Sequence, residues 1–291
     1  PHRATARLPD REHMTDQTSL DYAFLQHIGV SVDGEAALHS WYLPLLAGKK
    51  RVIDLGCGMG GFVALLRSAG IDALGVDSDP DCIAEARRHG LPVIEADVIR
   101  YLREAQPESC DAIVAAHLVE HLPYAIVLEM VELAHRALTP GGRLLMITPN
   151  PRALVSHLEL YPMHFGHVAM YHPTLLAFFM HHAGFAATQT GENPATAAER
   201  VAAAAPVSEL RRLAQSAAAL GGPTPLQDAL PKPPGLLRGL LWQAKLRLAR
   251  WLVQPYFDFA LAEVRRSGQT LSDAIQLVDR PFESYVAGDK A

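Results

Sequence analysis

Scarcity of certain residues in the sequence excludes whole classes of protein. There are only three cysteines, Cys57, Cys82 and Cys110, and none belongs to a CxxC pair. An odd number of isolated cysteines argues against a disulfide framework and favours a reducing, cytoplasmic setting. Aromatic residues make up 7% of the chain and the net charge is −5, whereas nucleic-acid-binding domains carry a dense basic face and stacking aromatic side chains. We therefore expect no nucleic acid among the partners.

Long apolar segments are lacking as well. No stretch reaches the roughly 18–20 uncharged apolar residues that span a membrane, and the chain does not open with a signal-peptide pattern. Residues 1–13 precede Met14, and we interpret them as a disordered or vector-derived leader. With 49% hydrophobic residues in a chain of 291, there is enough apolar material for one large domain with an elaboration.

What the sequence does contain is a regular alternation of short apolar segments and helical patterns. Strands are predicted at 51–55, 73–77, 92–95, 111–116, 143–148 and 185–190, and helices at 61–68, 81–89, 98–104, 125–138 and 173–182. Such alternation is typical of βαβ units in a parallel, doubly wound α/β sheet, whose strands are apolar on both faces. Residues 19–46 precede the first strand and are predicted to be helical.

The segment 194–255 differs in composition from the rest. It begins with an alanine-rich helical pattern at 195–220, continues with a proline-rich loop at 221–235, and ends with an apolar helical pattern at 236–253. That last pattern carries two tryptophans and four basic residues, as in helices that lie on a membrane surface. Because its charges point to several sides, we favour a lid or a homodimer interface over membrane-surface contact. The predicted domains are a core at 14–193, a helical insertion at 194–255, and the last strand with a tail at 256–291.

A glycine-rich turn follows the first predicted strand and opens the first helix of the alternating region. It reads Gly56-Cys57-Gly58-Met59-Gly60-Gly61. Glycine allows a tight turn on which a ligand lies against the backbone, and the helix N-terminus offers free N–H groups and a partial positive charge. The pattern alone leaves two cofactors open, since Gly56, Gly58 and Gly61 also fit the GxGxxG fingerprint of dinucleotide-binding proteins.

Three aspartates favour S-adenosylmethionine over a dinucleotide. Asp54 lies just before the turn, where a carboxylate can face the ammonium group of a methionine but gains nothing from a pyrophosphate. Asp77 ends the second strand and is placed for the ribose hydroxyls, and Asp97 ends the third strand and is placed for the adenine amino group. We predict that the cofactor is bound by Asp54, Gly56, Cys57, Gly58, Gly60, Asp77, Ser78, Asp97, Val98 and His117.

Two segments rich in histidine are placed at the same edge of the sheet as the glycine turn. The first, 116–123, follows the fourth strand and holds His117, Glu120 and His121. His117 is expected near the methionine end of the cofactor. An alternative interpretation of His121 is that it only braces the helix that follows.

The second segment, 164–173, follows the fifth strand. Histidine can act as a general base near neutral pH, and we predict His167, and after it His121, as the base that serves an acceptor hydroxyl. Residues expected to bind the acceptor are Glu120, His164, Tyr171 and His172. The alternative is that these histidines only pack. No metal is expected, because the spacing of His164, His167 and His172 matches no standard zinc pattern and the cysteines add no fourth ligand.

These motifs resemble those of class I S-adenosylmethionine-dependent methyltransferases. The resemblance covers about residues 50–192 and rests on the runs at 52–60, 75–77, 95–97, 118–123 and 138–142. It implies an enzyme with a seven-stranded sheet whose last strand is antiparallel. Residues 185–190 are then expected as the sixth strand and 256–266 as the seventh, with the helical segment 194–255 inserted between them.

A closer resemblance is to bacterial methyltransferases associated with surface polysaccharides. It rests on Thr148-Pro149-Asn150-Pro151, followed by His167-Val168 and Tyr171-His172-Pro173. Ala169-Met170 stands where those proteins usually carry an arginine, which argues against an anionic acceptor. The resemblance implies methyl transfer to an oxygen of a glycan or small molecule. A small-molecule O- or N-methyltransferase of secondary metabolism, an NAD-dependent oxidoreductase and a non-catalytic cofactor-binding partner are the alternatives.

Overall fold

The computed structural model describes residues 19–153, 155–196 and 280–291, together with the single residues 262 and 266. The chain divides into two compact units, Pro1–Ala197 with Pro281–Ala291, and Ala198–Arg280. The interpretation of 1–13 as a leader and the helices expected within 195–253 fall outside the described residues. The domain boundaries set from the sequence therefore stay predictions.

The described residues of the first unit are built on one mixed sheet. Its strands are β1 (Arg51–Leu55), β2 (Asp72–Asp77), β3 (Val93–Glu95), β4 (Cys110–Ala116), β5 (Leu138–Pro149), β6 (Phe185–Glu192) and β7 (Glu283–Lys290). Their order across the sheet is β3-β2-β1-β4-β5-β7-β6. The first five run parallel, and β7 pairs antiparallel with both β5 and β6. The predicted doubly wound, seven-stranded fold is confirmed.

Helices connect and cover these strands. They are α1 (Leu20–His27), α2 (Val32–His39), α3 (Gly61–Ser68), α4 (Pro80–Arg88), α5 (Val98–Glu104), α6 (Tyr124–Ala137), the single turn α7 (Tyr161–Met163) and α8 (Pro173–Ala183). Short 3₁₀ turns occur at Ser40–Leu46, Val119–His121 and Pro194–Thr196, and a π-helical turn at Ser156–Leu160. Among the described residues, none of the helices combines the length and the apolar character needed to span a membrane.

The two faces of the sheet bury separate apolar clusters. On one face α6 and α8 pack against residues such as Ile113 and Leu144, and on the other α3 packs against Val52 and Leu145, all of them fully or almost fully buried. Complete burial of one such side chain contributes about 1.5–3 kcal/mol. Because helices cover both faces of the sheet, ligands are expected at the ends of its strands.

The position of the last strand corrects the sequence prediction. We expected it at 256–266, but β7 is Glu283–Lys290, where Val286 faces Met146 of β5 and Thr190 of β6. Of the residues 256–266, only 262 and 266 are described, and both are helical. The apolar part of β7 is just Tyr285–Ala287, which is too short to be recognised as a strand without its two pairing partners.

Candidate active site

A cavity of about 600 Å³ opens where the parallel strands end. Segments that follow β1, β2, β3 and β4 reach it, and so do α1, α2, the segment after β5 and the start of β7. Its lining includes most of the residues singled out from the sequence, namely Asp54, Gly56, Cys57, Gly58, Asp77, Ser78, Asp97, Val98, His117, Glu120, His121, His164 and His167. The predicted cofactor residues and the predicted acceptor residues therefore share one cavity.

The glycine turn between β1 and α3 presents bare backbone to this cavity. Gly56, Gly58 and Gly60 have φ angles of +70°, +52° and +88°, in the left-handed region that glycine adopts without strain. A Cβ atom added at Gly58 would meet nothing within 4 Å, whereas one at Gly60 would lie 2.6 Å from Leu91 Cδ1. Gly60 does not line the cavity, and its role is to begin α3. Gly58 is the glycine whose open side is free for a ligand.

Carboxyl groups crowd the cavity beside the glycine turn. Asp54 is 2% exposed. Oδ1 of Asp54 and Oε2 of Glu35 are both buried and have no hydrogen-bond partner within the described ranges. Burial raises the pKa of Glu35 to about 7. Burial, followed by the charges of Glu35 and Asp77, raises the pKa of Asp54 well above its ordinary value. No lysine or arginine of the described part of the chain lines the cavity, so these acids lack a nearby permanent cation from a side chain.

The two remaining aspartates are held by backbone N–H groups. Asp77 accepts hydrogen bonds from Gly58 and Asp79, each at 2.8 Å, and its pKa is raised mainly by burial. Asp97 caps α5 by accepting from the N–H of Arg100 at 2.8 Å. Asp77 thus ends β2, and Asp97 lies two residues beyond the end of β3; their roles toward the ribose and the adenine stay predictions.

His117 lies between two buried glutamates in the turn after β4. Its Nδ1 is 3.2 Å from Oε1 of Glu120 and its Nε2 is 3.0 Å from Oε1 of Glu283. Burial lowers the pKa of His117, but the hydrogen bonds and charges of the two glutamates outweigh it and hold that pKa well above its usual range. Burial alone would raise the pKa values of Glu120 and Glu283. The hydrogen bonds and the charge of His117 outweigh burial, so the pKa values of both glutamates lie below their usual range. The three groups form a charged network.

Further hydrogen bonds complete the network around His117. Glu283 also accepts from the hydroxyl of Tyr42 at 2.8 Å and from Nδ2 of Asn193 at 3.0 Å, while Glu120 accepts from the hydroxyl of Thr148 at 3.2 Å. The carboxylate of Glu120 is fully buried and committed to these partners. It holds His117 in place, which differs from the acceptor-binding role that the sequence suggested.

Three histidines of the cavity lining, His121, His164 and His167, converge at one point, and we call them the histidine triad. One nitrogen of each ring lies within 4.8 Å of one nitrogen of the other two. Nδ1 of His167 lies 2.8 Å from the carbonyl oxygen of Tyr161; because a carbonyl only accepts, this nitrogen carries the hydrogen and Nε2 keeps its lone pair when the ring is neutral. Burial lowers the pKa values of His121 and His164, which favours their neutral forms.

Two predicted acceptor residues lie elsewhere. Tyr171 is buried in the core and donates its hydroxyl hydrogen to the carbonyl of Leu122 at 2.7 Å. His172 is exposed and caps α8 by accepting from the N–H of Thr174 at 3.2 Å. Neither lines the cavity, so we correct their assignment to the acceptor site. His121 does not cap the helix that follows it, because α6 has Pro123 at its N-cap and no side-chain capping bond.

Among the cavity residues that sequence reasoning missed are Glu35 and His39 on α2, and Glu283 on β7. His39 is 5% exposed and neither ring nitrogen has a partner among the described residues; burial lowers its pKa to about 4. One signal was present. Glu35 and His39 are four residues apart, which places them on the same face of a helix, and that helix is separated from the first strand by the 3₁₀ turn Ser40–Leu46.

Comparison with known proteins identifies a family. A family model described as "Methyltransferase domain" matches residues 35–190. The ubiquinone biosynthesis O-methyltransferase of Methylococcus capsulatus is 35% identical over 118 residues, which are 39% of this chain and 48% of that protein. The trans-aconitate 2-methyltransferase of Methylobacterium nodulans is 38% identical over 116 residues, which are 38% of this chain and 43% of that protein. The chain thus spans about half the length of the curated relatives it matches.

Solved structures share the fold. A SAM-dependent methyltransferase from Archaeoglobus fulgidus superposes with a TM-score of 0.64 at 19% identity, covering 94% of this chain and 100% of that one. An S-adenosylmethionine-dependent methyltransferase from Mesorhizobium loti gives a TM-score of 0.50 at 18% identity, covering 89% of this chain and 100% of that one. At such identities the likeness concerns the fold alone.

Proposed function

The chain belongs to the methyltransferase-domain family, and we propose that it transfers the methyl group of S-adenosylmethionine to an oxygen atom of a neutral glycan or other small molecule. One observation carries the proposal. A single cavity joins the glycine turn and its carboxyl groups to the histidine triad, so that a methyl donor held at one end meets an acceptor held at the other.

The charge of the cavity fits this cofactor. Asp54 and Glu35 each present a buried oxygen without a partner in the described part of the chain, and burying such groups is costly unless a ligand compensates them. S-adenosylmethionine brings an ammonium group and a positively charged sulfur that carries the methyl group to be transferred. A dinucleotide would instead bring two phosphates into a cavity that has no lysine or arginine in its described lining. This disfavours the alternative function of an NAD-dependent oxidoreductase.

Each part of the cofactor has a candidate partner. Asp77 is assigned to the ribose hydroxyls and Asp97 to the adenine amino group, since Asp77 ends β2, Asp97 follows β3 as the N-cap of α5, and both line the cavity. Asp54 and Glu35 are assigned to the ammonium group. Gly58 leaves room for the ligand to lie against the backbone of the turn. Holding donor and acceptor in line contributes about 7–11 kcal/mol to lowering the barrier in well-oriented systems.

The acceptor is assigned to the histidine triad. Nε2 of His167 has the free lone pair that is needed to take up a hydroxyl proton, and His121 lies beside it with a ring-centroid separation of 4.8 Å. A neutral acceptor is favoured because carboxyl groups dominate the cavity. The curated relatives are named for O-methylation and for a small molecule, which supports oxygen as the acceptor atom and keeps a small-molecule acceptor beside a glycan. Cytoplasmic location, bacterial origin and a homodimer stay predictions.

Two measurements test the proposal. Isothermal titration calorimetry with S-adenosylhomocysteine and with NADH should show binding of the first alone, and binding of NADH alone would overturn the cofactor assignment. The full-length enzyme is then incubated with methyl-labelled S-adenosylmethionine and fractionated cell extract, with the Asp54→Asn variant as control. Label should enter a neutral small-molecule or glycan fraction only with the unaltered enzyme. Cofactor binding without any label transfer would identify a non-catalytic partner instead.

A further inference from the structure

The histidine triad has a composition that the sequence did not suggest. Spacing along the chain grouped His164 and His167 with His172, and that group fits no zinc pattern. In the structure His121, from the turn after β4, takes the place of His172. The ring centroids of His121, His164 and His167 lie 4.8–5.1 Å apart, and all three side chains are partly exposed to the cavity. Nothing in the proposed function requires three imidazoles at one point.

The outer nitrogen of one triad member, His167, has the hydrogen-bond partner that is typical of metal ligands. Histidines that bind metals donate their second N–H group to a backbone carbonyl or a carboxylate, which fixes the ring and its tautomer. His167 does so through Nδ1 to the carbonyl of Tyr161 at 2.8 Å. Nε2 of His164 lies 3.8 Å from Oδ1 of Asp21, beyond hydrogen-bond distance, and its Nδ1 accepts from the N–H of Gly166 at 3.1 Å, a bond that a metal ion on this nitrogen would replace.

Gly166 keeps a space open between two of these rings. A Cβ atom added there would lie 2.9 Å from Nδ1 of His121 and 3.2 Å from Nδ1 of His164. Gly166 is not among the residues with positive φ, so its backbone does not require glycine. Glycine is therefore needed here only because a side chain would collide with the triad. The space that the missing Cβ leaves is about the size of one atom, and it lies beside Nδ1 of His121 and Nδ1 of His164.

We propose that the histidine triad binds a divalent transition-metal ion of the Zn²⁺ type, whose open coordination position takes the acceptor oxygen. Three imidazoles with one open position are a ligand set of catalytic zinc, which binds them at Zn–N distances of about 2.0–2.1 Å; the ligand nitrogens, now within 4.8 Å of one another, would close around the ion. The inference rests on the proposed function and changes one step of it, because the metal takes over the task assigned to a free imidazole base.

The chemistry of the step is simple. A hydroxyl bound to the metal becomes more acidic, and its proton leaves to solvent. The lone pair of the resulting oxygen forms the bond to the methyl carbon, and the electrons of the broken carbon–sulfur bond stay on sulfur, which becomes a neutral thioether. Metal binding also selects the acceptor class, favouring molecules that offer a hydroxyl together with a second oxygen donor.

Metal binding is tested without cofactor or acceptor. Full-length protein is stripped with a chelator and titrated with Zn²⁺ by calorimetry and with Co²⁺ by visible absorption. We expect one ion per chain and the intense visible bands of Co²⁺ bound by nitrogen in low coordination. His121→Ala and Gly166→Ala should each weaken Zn²⁺ binding by about 10-fold or more, the second without removing a ligand. His181→Ala, an exposed histidine of α8 outside the cavity, should bind like the unaltered protein.

The outcomes separate this inference from the proposed function. Affinity for S-adenosylhomocysteine, measured on every variant, reports whether it has folded and whether the cofactor site is intact. If the unaltered protein binds the cofactor but gives no Co²⁺ bands, or if all variants bind Zn²⁺ equally, the metal site is refuted while methyl transfer stands. If Zn²⁺ binds and S-adenosylhomocysteine does not, the proposed function fails instead.

Discussion

Nε2 of His117 lies 3.0 Å from Oε1 of Glu283, although the two residues are 166 positions apart in the chain. The contact joins the turn after β4 to the first residue of β7. Since Glu283 also accepts from Tyr42 in the segment before β1, one buried carboxylate connects three separate parts of the chain at the cavity. Stability and the shape of the cavity therefore depend on the same charged group.

Replacing Glu283 by glutamine should destabilise the protein in a pH-dependent way. Removing one partner of a buried ion pair costs about 3–5 kcal/mol, and we expect the lower end because His117 keeps some contact with solvent. The pKa of His117 is raised in the folded state, so its contribution to stability is complete below its unfolded pKa of about 6.5 and is lost as the pH rises through the folded value. Thermal unfolding should show a deficit of roughly 6–12 °C near pH 6 that shrinks as the pH rises through the raised pKa of folded His117.

A matched control lies in the same strand. Asp289 forms an ion pair with Arg143 at 2.7 Å that is partly exposed, and exposed pairs contribute about 0–1 kcal/mol. Asp289→Asn should therefore lower the melting temperature only slightly, and equally at pH 6 and pH 9. A deficit for Glu283→Gln that stays the same from pH 6 to strongly alkaline pH would show that protonated His117 does not depend on Glu283.

Glu35 should make cofactor binding depend on pH near neutrality. Its pKa in the free protein is about 7, and only the ionised carboxylate attracts an ammonium group. The affinity for S-adenosylmethionine should therefore rise up to about 10-fold from pH 6 to pH 8. The variant Glu35→Gln should bind more weakly and lose most of this rise. Calorimetry at several pH values provides the measurement.

Two controls isolate the contribution of Glu35. Asp33→Asn changes an exposed carboxylate on the same helix and should leave the pH dependence as it is. The ligand 5′-methylthioadenosine lacks the amino-acid part of the cofactor, so its affinity should be nearly the same for the unaltered protein and for Glu35→Gln. Weakening of both ligands by the same factor would place Glu35 away from the ammonium group.

Local signals in the sequence were sufficient for the parallel half of the fold. The bounds of β1 and α3 agree with the prediction residue for residue, because an apolar run that ends in glycines marks both elements at once. β7 carried no such signal. Gly288 weakens it as a strand on its own, yet a Cβ at that position would lie 2.8 Å from Sδ of Met180, so glycine there reflects the close packing of α8. Pairing on both sides, with β5 and β6, decides the conformation of β7.

The residues of the site also fall into two groups, those that a local motif reveals and those that only packing brings into the cavity. Asp54 and Gly58 were found because a short motif carries them. Glu35, His39 and Glu283 enter the cavity through the packing of α2 and β7; the spacing of Glu35 and His39 places them on one helix face but does not show what that face meets. His121 and His172 show the same limit, since the contact between the turns after β4 and β5 decides which of them joins His164 and His167.

Gly58 offers a direct test of where the cofactor lies. An alanine there has a left-handed backbone and an open space around its Cβ, so the folded protein should lose only about 1–2 kcal/mol of stability. The methyl group would project into the space reserved for the ligand, and S-adenosylhomocysteine should bind at least about 10-fold more weakly, a loss of about 1.4 kcal/mol. Gly48→Ala has the same type of backbone, with φ of +79°, and equally open surroundings, but lies outside the cavity. It should lose similar stability and no affinity.

His167 should matter for turnover far more than for cofactor binding. Whether its Nε2 takes up the acceptor proton or binds a metal, His167→Asn removes that nitrogen from its position, and loss of a general base lowers kcat by about 10²–10⁴-fold. Affinity for S-adenosylhomocysteine should stay nearly constant, because the cofactor end of the cavity is untouched. The comparison variant is Tyr171→Phe, which loses the hydroxyl bond to Leu122 and should lower the melting temperature while kcat is kept. Since Tyr171 and His167 come from the same segment of sequence, a fall in kcat for Tyr171→Phe as large as that for His167→Asn would show that the segment acts through its overall shape and that no single histidine serves the acceptor.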